Sequence, residues 1–313
     1  MPYAIRVLGT AGGNKELGMT NKTVLMREPT WTHSVAVEDA PGTRGGEPPA
    51  IRRREIYTLG RFRVVLVDDQ DAQSDVPEAA WRHGSAKDLL TVLLVQPHQV
   101  MTRERAGALL WPRTSARVQR KRLTNAIWNL HRALGETSHV INTALLTTRA
   151  TLQLCQTADR AACDGSCWVD ASAFEAASRG MQHASTDAAK LLAAREALTL
   201  YQGDFLIDTA HNTLVEARQY ALQEQWIQML MHLSELWQRA DQAERAVEVL
   251  LTVVEHAPDH VEAARQAASL LTQLGRSAQA ARLLARARRR YKTLVGLEAP
   301  ELFQIKPPIR TGG

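Results

Sequence analysis

A self-similarity near the C-terminal end restricts what this chain can fold into more than any other feature. Offsetting the sequence by 34 residues aligns Ala246 with Ala280 and Leu250 with Leu284. The same offset aligns the turn at Ala240-Asp241 with the turn at Leu274-Gly275. One helix pair of this length cannot bury its own apolar face, so such pairs stack and present a shared surface to a partner. Helical patterns over about Asp170 to Met181, Ala188 to Tyr201 and Leu214 to Arg239 predict further helices stacked ahead of the repeat.

The period is that of tetratricopeptide helix pairs. The region before Val169 reads differently. Ile56 to Val67 is β-branched and aromatic, is interrupted by Gly60 and ends at Asp68-Asp69, so it predicts two short strands. A polar stretch runs from Gln70 to Pro77. Ser85 to Gln96 places Leu89, Leu90, Leu93 and Leu94 on one helical face, and Pro97 stops it. Thr102 can cap a second helix, Arg103 to Leu110, which Trp111-Pro112 ends. A third helix is predicted from about Ser115 to Leu134, closed by Gly135. Val140 to Thr143 and Leu145 to Leu154 read as strands. Strands, three helices and a terminal hairpin make the winged-helix plan, in which the third helix enters the major groove and the hairpin is the wing.

Residues 1–54 show no strong helical or strand period and are rich in Gly and Pro. They read as a flexible arm, with Ile5 to Leu8 as the place where a strand could form. No apolar run approaches the roughly 18 residues of a membrane span, and Met1 to Thr20 lacks a secretory core. The expectation is a soluble cytoplasmic protein with no membrane partner. The chain has 313 residues, enough for two domains, and a net charge of +5, which permits a nucleic-acid partner without requiring one.

The position of the charge says more than its sum. Projected at about 100° per residue, Leu123, Ala126, Ile127, Leu130 and Leu134 of the third helix face a core. Arg117, Lys121, Thr124, Asn125, Trp128 and Arg132 fall opposite, with Arg120 on a flank. Arg117 to Leu134 contains no Asp or Glu, whereas an ordinary solvated face mixes signs. Asn125 and Thr124 suit base edges; Arg117, Arg120, Lys121 and Arg132 suit phosphates. Arg149, on the expected wing, suits a minor groove or a phosphate. A basic face bound to another protein is the competing reading. Trp128 could meet a thymine methyl or sugar, or pack on the wing or second domain; the reading leans to internal packing.

Several segments carry a family resemblance. They are Leu59 to Val64, Lys87 to Leu94, Val100 to Glu104, Leu109 to Pro112 and Leu123 to Gly135. Val169 to Phe174, Ala197 to Leu206 and Gly296 to Pro300 complete the set. In this order they resemble the antibiotic regulatory protein (SARP) family. That resemblance implies a mainly α protein with small β sheets, in which a response-regulator-type winged helix precedes tetratricopeptide-like repeats. The expected limits are a flexible arm over 1–54, a winged helix over 55–157 and a bacterial transcriptional activator domain over 168–305. The resemblance also implies an activator that binds promoter direct repeats in double-stranded DNA and contacts RNA polymerase, with a homodimer on DNA left open. A protein-interaction scaffold whose winged helix no longer reads DNA is the alternative.

No nucleophile, base and orienter converge, so no enzyme, cofactor or metal is expected, and no ATPase activity is carried over from larger family members. Cys155, Cys163 and Cys167 lack a zinc spacing and read as free thiols in an inter-domain loop, a labile disulfide or metal site being the other reading. Asp204 or Asp208 is expected to satisfy backbone donors where the Tyr201 to Leu206 segment ends a helix. The last helix carries Arg282, Arg286, Arg288, Arg289, Arg290 and Lys292, read as a solvated face or as a contact for nucleic acid or an acidic partner.

Overall fold

The computed structural model describes residues 51–81, 84–136, 144–157, 167–208, 213–296 and 303. Ile51–Tyr57 (β1) and Arg63–Asp68 (β2) form an antiparallel hairpin, with Ile56 opposite Val64 and Tyr57 opposite Arg63. Strand β1 therefore takes in Ile51 to Arg54 of the expected arm, because it pairs on both edges; the rest of that arm, with the strand expected near Ile5 to Leu8, lies outside the described residues. Gln73–Asp75 (β3) adds to β2 inside the polar stretch from Gln70 to Pro77.

Ser85–Val95 (α1) buries Leu89, Leu90, Leu93 and Leu94, as its spacing predicts. Val100–Thr102 (β4) precedes Arg103–Leu110 (α2), whose first turn is capped by Thr102 Oγ1 accepting from the Arg105 amide at 3.2 Å. Ala116–Ala133 (α3) packs on α1 and α2. Leu145–Thr147 (β5) and Thr151–Leu154 (β6) make the wing, and β4 completes a three-stranded sheet in the order β4-β6-β5. The strand expected over Val140 to Thr143 lies outside the described residues.

Gln156–Thr157 (β7) and Cys167–Val169 (β8) run parallel to each other, and β8 runs parallel to β1. The first sheet thus has the order β3-β2-β1-β8-β7. Cys167, expected in a loop, is a buried strand residue beside Arg54, while Cys163 lies outside the described residues. Neither Cys155 nor Cys167 is in a disulfide; Cys155 is half-buried.

The remaining elements are Asp170–His183 (α4), Asp187–Leu200 (α5), Thr213–Arg239 (α6), Ala243–His256 (α7), Val261–Gln273 (α8) and Ser277–Val295 (α9). Successive helices from α6 to α9 pack on one another, and α6 also meets α4 and α5. A run of rings threads the front of this stack: Phe174 against Tyr201, Tyr201 stacked on Trp226 at 5.1 Å, and Trp226 edge-on to His256.

The repeat seen in sequence is also a repeat of hydrogen bonds. Asp241 and Gly275 both sit in the left-handed region, at φ 56° and 76°. The Gln242 amide donates to Trp237 O at 2.9 Å, and the Arg276 amide to Leu271 O at 2.7 Å. The Asp241 and Gly275 amides likewise donate to Gln238 O and Thr272 O. Each turn is a Schellman cap, and the two are 34 residues apart.

Winged helix and helical repeats are joined through the loop after β1. The Asp170 carboxylate, at the start of α4, accepts from the Thr58 amide at 2.8 Å, the Thr58 hydroxyl at 2.6 Å, the Leu59 amide at 2.9 Å and the Ala171 amide at 2.7 Å. Burial pushes this carboxyl up to about 6, against the pull of those donors. On the other side of the loop, the Leu206 amide donates to Thr58 O and the Gly60 amide to Asp204 O. Gly60 needs its φ of 104°, a conformation open to glycine. The Tyr201 to Leu206 segment therefore does more than end a helix: it grips the winged helix, and Asp204 contributes a backbone carbonyl to that grip.

Candidate DNA-binding surface

Helix α3 is divided cleanly by its sequence. Leu123, Ala126, Ile127, Leu130 and Ala133 are buried. Arg117, Arg120, Lys121, Thr124, Asn125, Trp128 and Arg132 are all exposed on the other side. Leucines and isoleucine at a spacing of three and four anchor the helix, so the intervening polar positions must face out. The first turn carries no acid, and the Ser115 side chain makes no capping bond. The positive end of the helix dipole is therefore left to attract phosphate.

Within this face the chemistry is graded. Thr124 Oγ1 donates to Arg120 O at 3.0 Å, which leaves its methyl and lone pairs to a ligand. Asn125 bonds no described residue, so its amide retains both a donor and an acceptor for an adenine edge. Arg117, Arg120 and Lys121 pair with no described carboxylate.

Trp128 departs from expectation. It is 61% exposed rather than packed inside, because its position on the helix turns it away from the Leu123–Leu130 core face. Its ring is accompanied by the Arg132 guanidinium, 5.7 Å from the ring centre.

Arg149 stands exposed at the tip of the β5–β6 hairpin. Thr148 Oγ1 tightens that tip by accepting from the Ala150 amide at 3.2 Å and the Thr151 amide at 2.8 Å. Arg103 braces it from α2: its amide donates to Ala150 O at 2.9 Å and its Nη1 to Thr148 O at 3.4 Å.

Two supports of the surface were not legible in sequence. The first is Arg54, fully buried on β1, whose Nε donates to Leu134 O at 2.9 Å at the C-terminal end of α3. A cation there also meets the negative end of the helix dipole. The second is Glu136. Its nearly buried carboxylate contacts His131 Nδ1, the Ala144 amide and, at 3.3 Å, the Leu145 amide. It therefore ties the end of the reading helix to the first strand of the wing. Between them, Gly135 turns at φ 67°, and a Cβ there would lie 3.0 Å from Ile51 and 3.1 Å from Leu66.

Among the described residues no group of His, Cys, Asp and Glu is arranged to hold a metal ion, and no helix is long and apolar enough to cross a membrane.

Comparison with known proteins bears on both halves. Residues 169–310 match the model of the bacterial transcriptional activator domain. In structure the chain is similar to Mycobacterium tuberculosis EmbR in complex with a low-affinity phosphopeptide. The two share 16% identity at a TM-score of 0.61, over 80% of this chain and 63% of that one. The chain thus spans about 63% of the length of the structure it matches. No curated protein matches it significantly by sequence. A winged helix thus stands ahead of a segment that matches the bacterial transcriptional activator domain, in a fold similar to that of EmbR.

Proposed function

We propose that the chain is a sequence-specific DNA-binding activator. In this reading α3 lies in the major groove and the β5–β6 wing lies along the adjacent backbone. The observation that carries it is the acid-free outer face of α3, on which Arg117, Arg120, Lys121, Thr124, Asn125 and Arg132 are all exposed. Asn125 and Thr124 read bases; Arg117, Arg120, Lys121 and Arg132 hold phosphates; Arg149 enters the minor groove or meets its backbone. Trp128 supplies an apolar surface for a thymine methyl or a sugar, with Arg132 beside it.

The domain limits that go with this reading are a winged helix over about 55–157, extended by β1 from Ile51, and a helical domain over 168–305. Binding to promoter direct repeats, contact with RNA polymerase and a cytoplasmic location belong to the same proposal. A buried Trp128 would favour the scaffold alternative; the exposed ring is instead available to DNA.

The test is titration of the full chain against DNA from its own promoter region by fluorescence anisotropy. The logarithm of affinity should fall linearly with the logarithm of salt, with a slope of about −0.9 per phosphate neutralised. Binding that is absent, or indifferent to salt, would remove the activator reading.

A further inference from the structure

Helix α9 carries more positive charge than its own folding can use. Arg276 to Val295 holds seven of the chain's 38 basic residues and none of its 33 acidic ones, a surplus larger than the net charge of +5. Once the cations of α3 and α9 are set aside, the remainder of the chain is net acidic. Within α9 like charges stand one turn apart: Arg282 with Arg286, Arg286 with Arg289 and Arg290, Arg288 and Arg289 with Lys292. Each such pair destabilises a helix slightly. Arg276, at the N-cap, stands where the helix dipole favours an anion, and the first turn has no acid to offset it. Arg282, Arg286, Arg288 and Arg289 are exposed and pair with no described carboxylate.

We propose that α9 is a second DNA contact, which holds the phosphate backbone of the duplex outside the groove taken by α3 and does so on any sequence. The proposal rests on the DNA-binding reading of α3. Besides the cations, the exposed positions from Arg276 to Lys292 are Ser277, Ala278, Gln279, Ala281 and Ala285. The centre of a protein interface carries large anchors and few charges, the reverse of this face. A polyanion needs only donors and an unobstructed approach, which the small alanines leave open. All but one of the cations are Arg, whose planar fork matches phosphate oxygens two at a time. Arg282, Arg286 and Arg289 share one stripe about 10 Å long. A duplex offers a phosphate charge about every 1.7 Å along its axis, so three phosphates come within reach of three guanidiniums. Exposed Glu248 and Glu255 on α7 repel phosphate and confine the contact to α9.

The test is fluorescence anisotropy of the full chain on two duplexes, one from its own promoter region and one of random sequence. Arg282→Ala, Arg286→Ala and Arg289→Ala together should weaken both by the same factor and leave their ratio unchanged. The plot of log affinity against log salt should become shallower by about 2.7, so the parent loses about 40-fold more affinity than the variant between about 50 and about 200 mM salt. Lysine at the same three positions should keep most of the slope, with circular dichroism showing all three chains equally helical. An alanine variant with the parent's slope overturns the proposal; if it has also lost binding to polyglutamate, α9 belongs to an acidic protein. A changed promoter-to-random ratio overturns it too, because α9 would then act on sequence reading. The two readings fail separately. Arg117→Ala with Asn125→Ala, on α3, should remove promoter preference while the α9 share of the slope remains. A parent chain that binds both duplexes alike, with a slope that still depends on α9, sinks the α3 reading alone. No binding to either duplex sinks both.

Discussion

Helices α3 and α9 look alike in sequence: each is long, basic and without a single Asp or Glu. They are held very differently. Helix α3 buries Leu123, Ile127 and Leu130 in addition to two alanines, and its C-terminal end is fixed by Arg54, Gly135 and Glu136. Helix α9 fully buries only Ala280 and Ala287 among its described residues. A groove-reading helix has to keep its side chains in one register, because a small displacement costs it the bidentate contacts. A surface that works by charge alone needs no such bracing. Basic composition alone does not distinguish the two; the residues beneath and at the ends of the helix do.

Four measurements would break or sharpen that contrast. Leu130→Ala should cost about 2–5 kcal/mol of unfolding free energy in urea melts, while truncating the half-buried Leu284 of α9 should cost clearly less. Equal losses would mean that the two helices are equally anchored. Gly135→Ala should destabilise by about 1–3 kcal/mol, through its positive φ and the nearby Ile51 and Leu66. Gly296, at φ 75° with no described atom within 4 Å of its absent Cβ, should tolerate alanine better, as thermal melts would reveal. On DNA, Asn125→Ala should relax preference at one base position by about 1–3 kcal/mol across a set of single-base operator variants. Arg282→Ala should leave that preference profile unchanged.

The shallowest effect, a slope of no more than about 1.4 kcal/mol per pH unit, comes from Asp170. Its carboxyl is raised in the folded state from 3.8 to about 6, so the native chain holds the proton more tightly than the unfolded one. Its contribution to stability is complete below 3.8 and is lost as pH rises through about 6. The difference in urea midpoint between the parent and Asp170→Asn should therefore change across that interval and be constant outside it. A difference that does not vary with pH would show that the carboxyl titrates at its ordinary value.

The legible parts of the molecule were those written in local periodicity. The apolar spacing of α1 and α3, the Thr102 cap and the 34-residue repeat all rest on neighbours a few residues apart, or on one recurring unit. What escaped notice depends on distant partners. Strand β8 is three residues long and gains its identity from β1, more than a hundred residues earlier. Asp170 reads as an ordinary residue at a helix start until Thr58 and Leu59 come to it. Glu136 looks like one more polar residue after a glycine. Trp128 misled for the opposite reason: a large aromatic suggests burial, but its place on the helix faces it outward whatever its size.

Strand β1 has two attachments. Thr58 and Leu59, just past its end, are bonded to the helical domain through Asp170, and Arg54, four residues before Thr58, is bonded to the last turn of α3. The interval is about 13 Å of extended chain, which scarcely stretches. A load taken up by the helical domain has, beside the packing of α1 on α6, a short and stiff route along this strand to the end of α3.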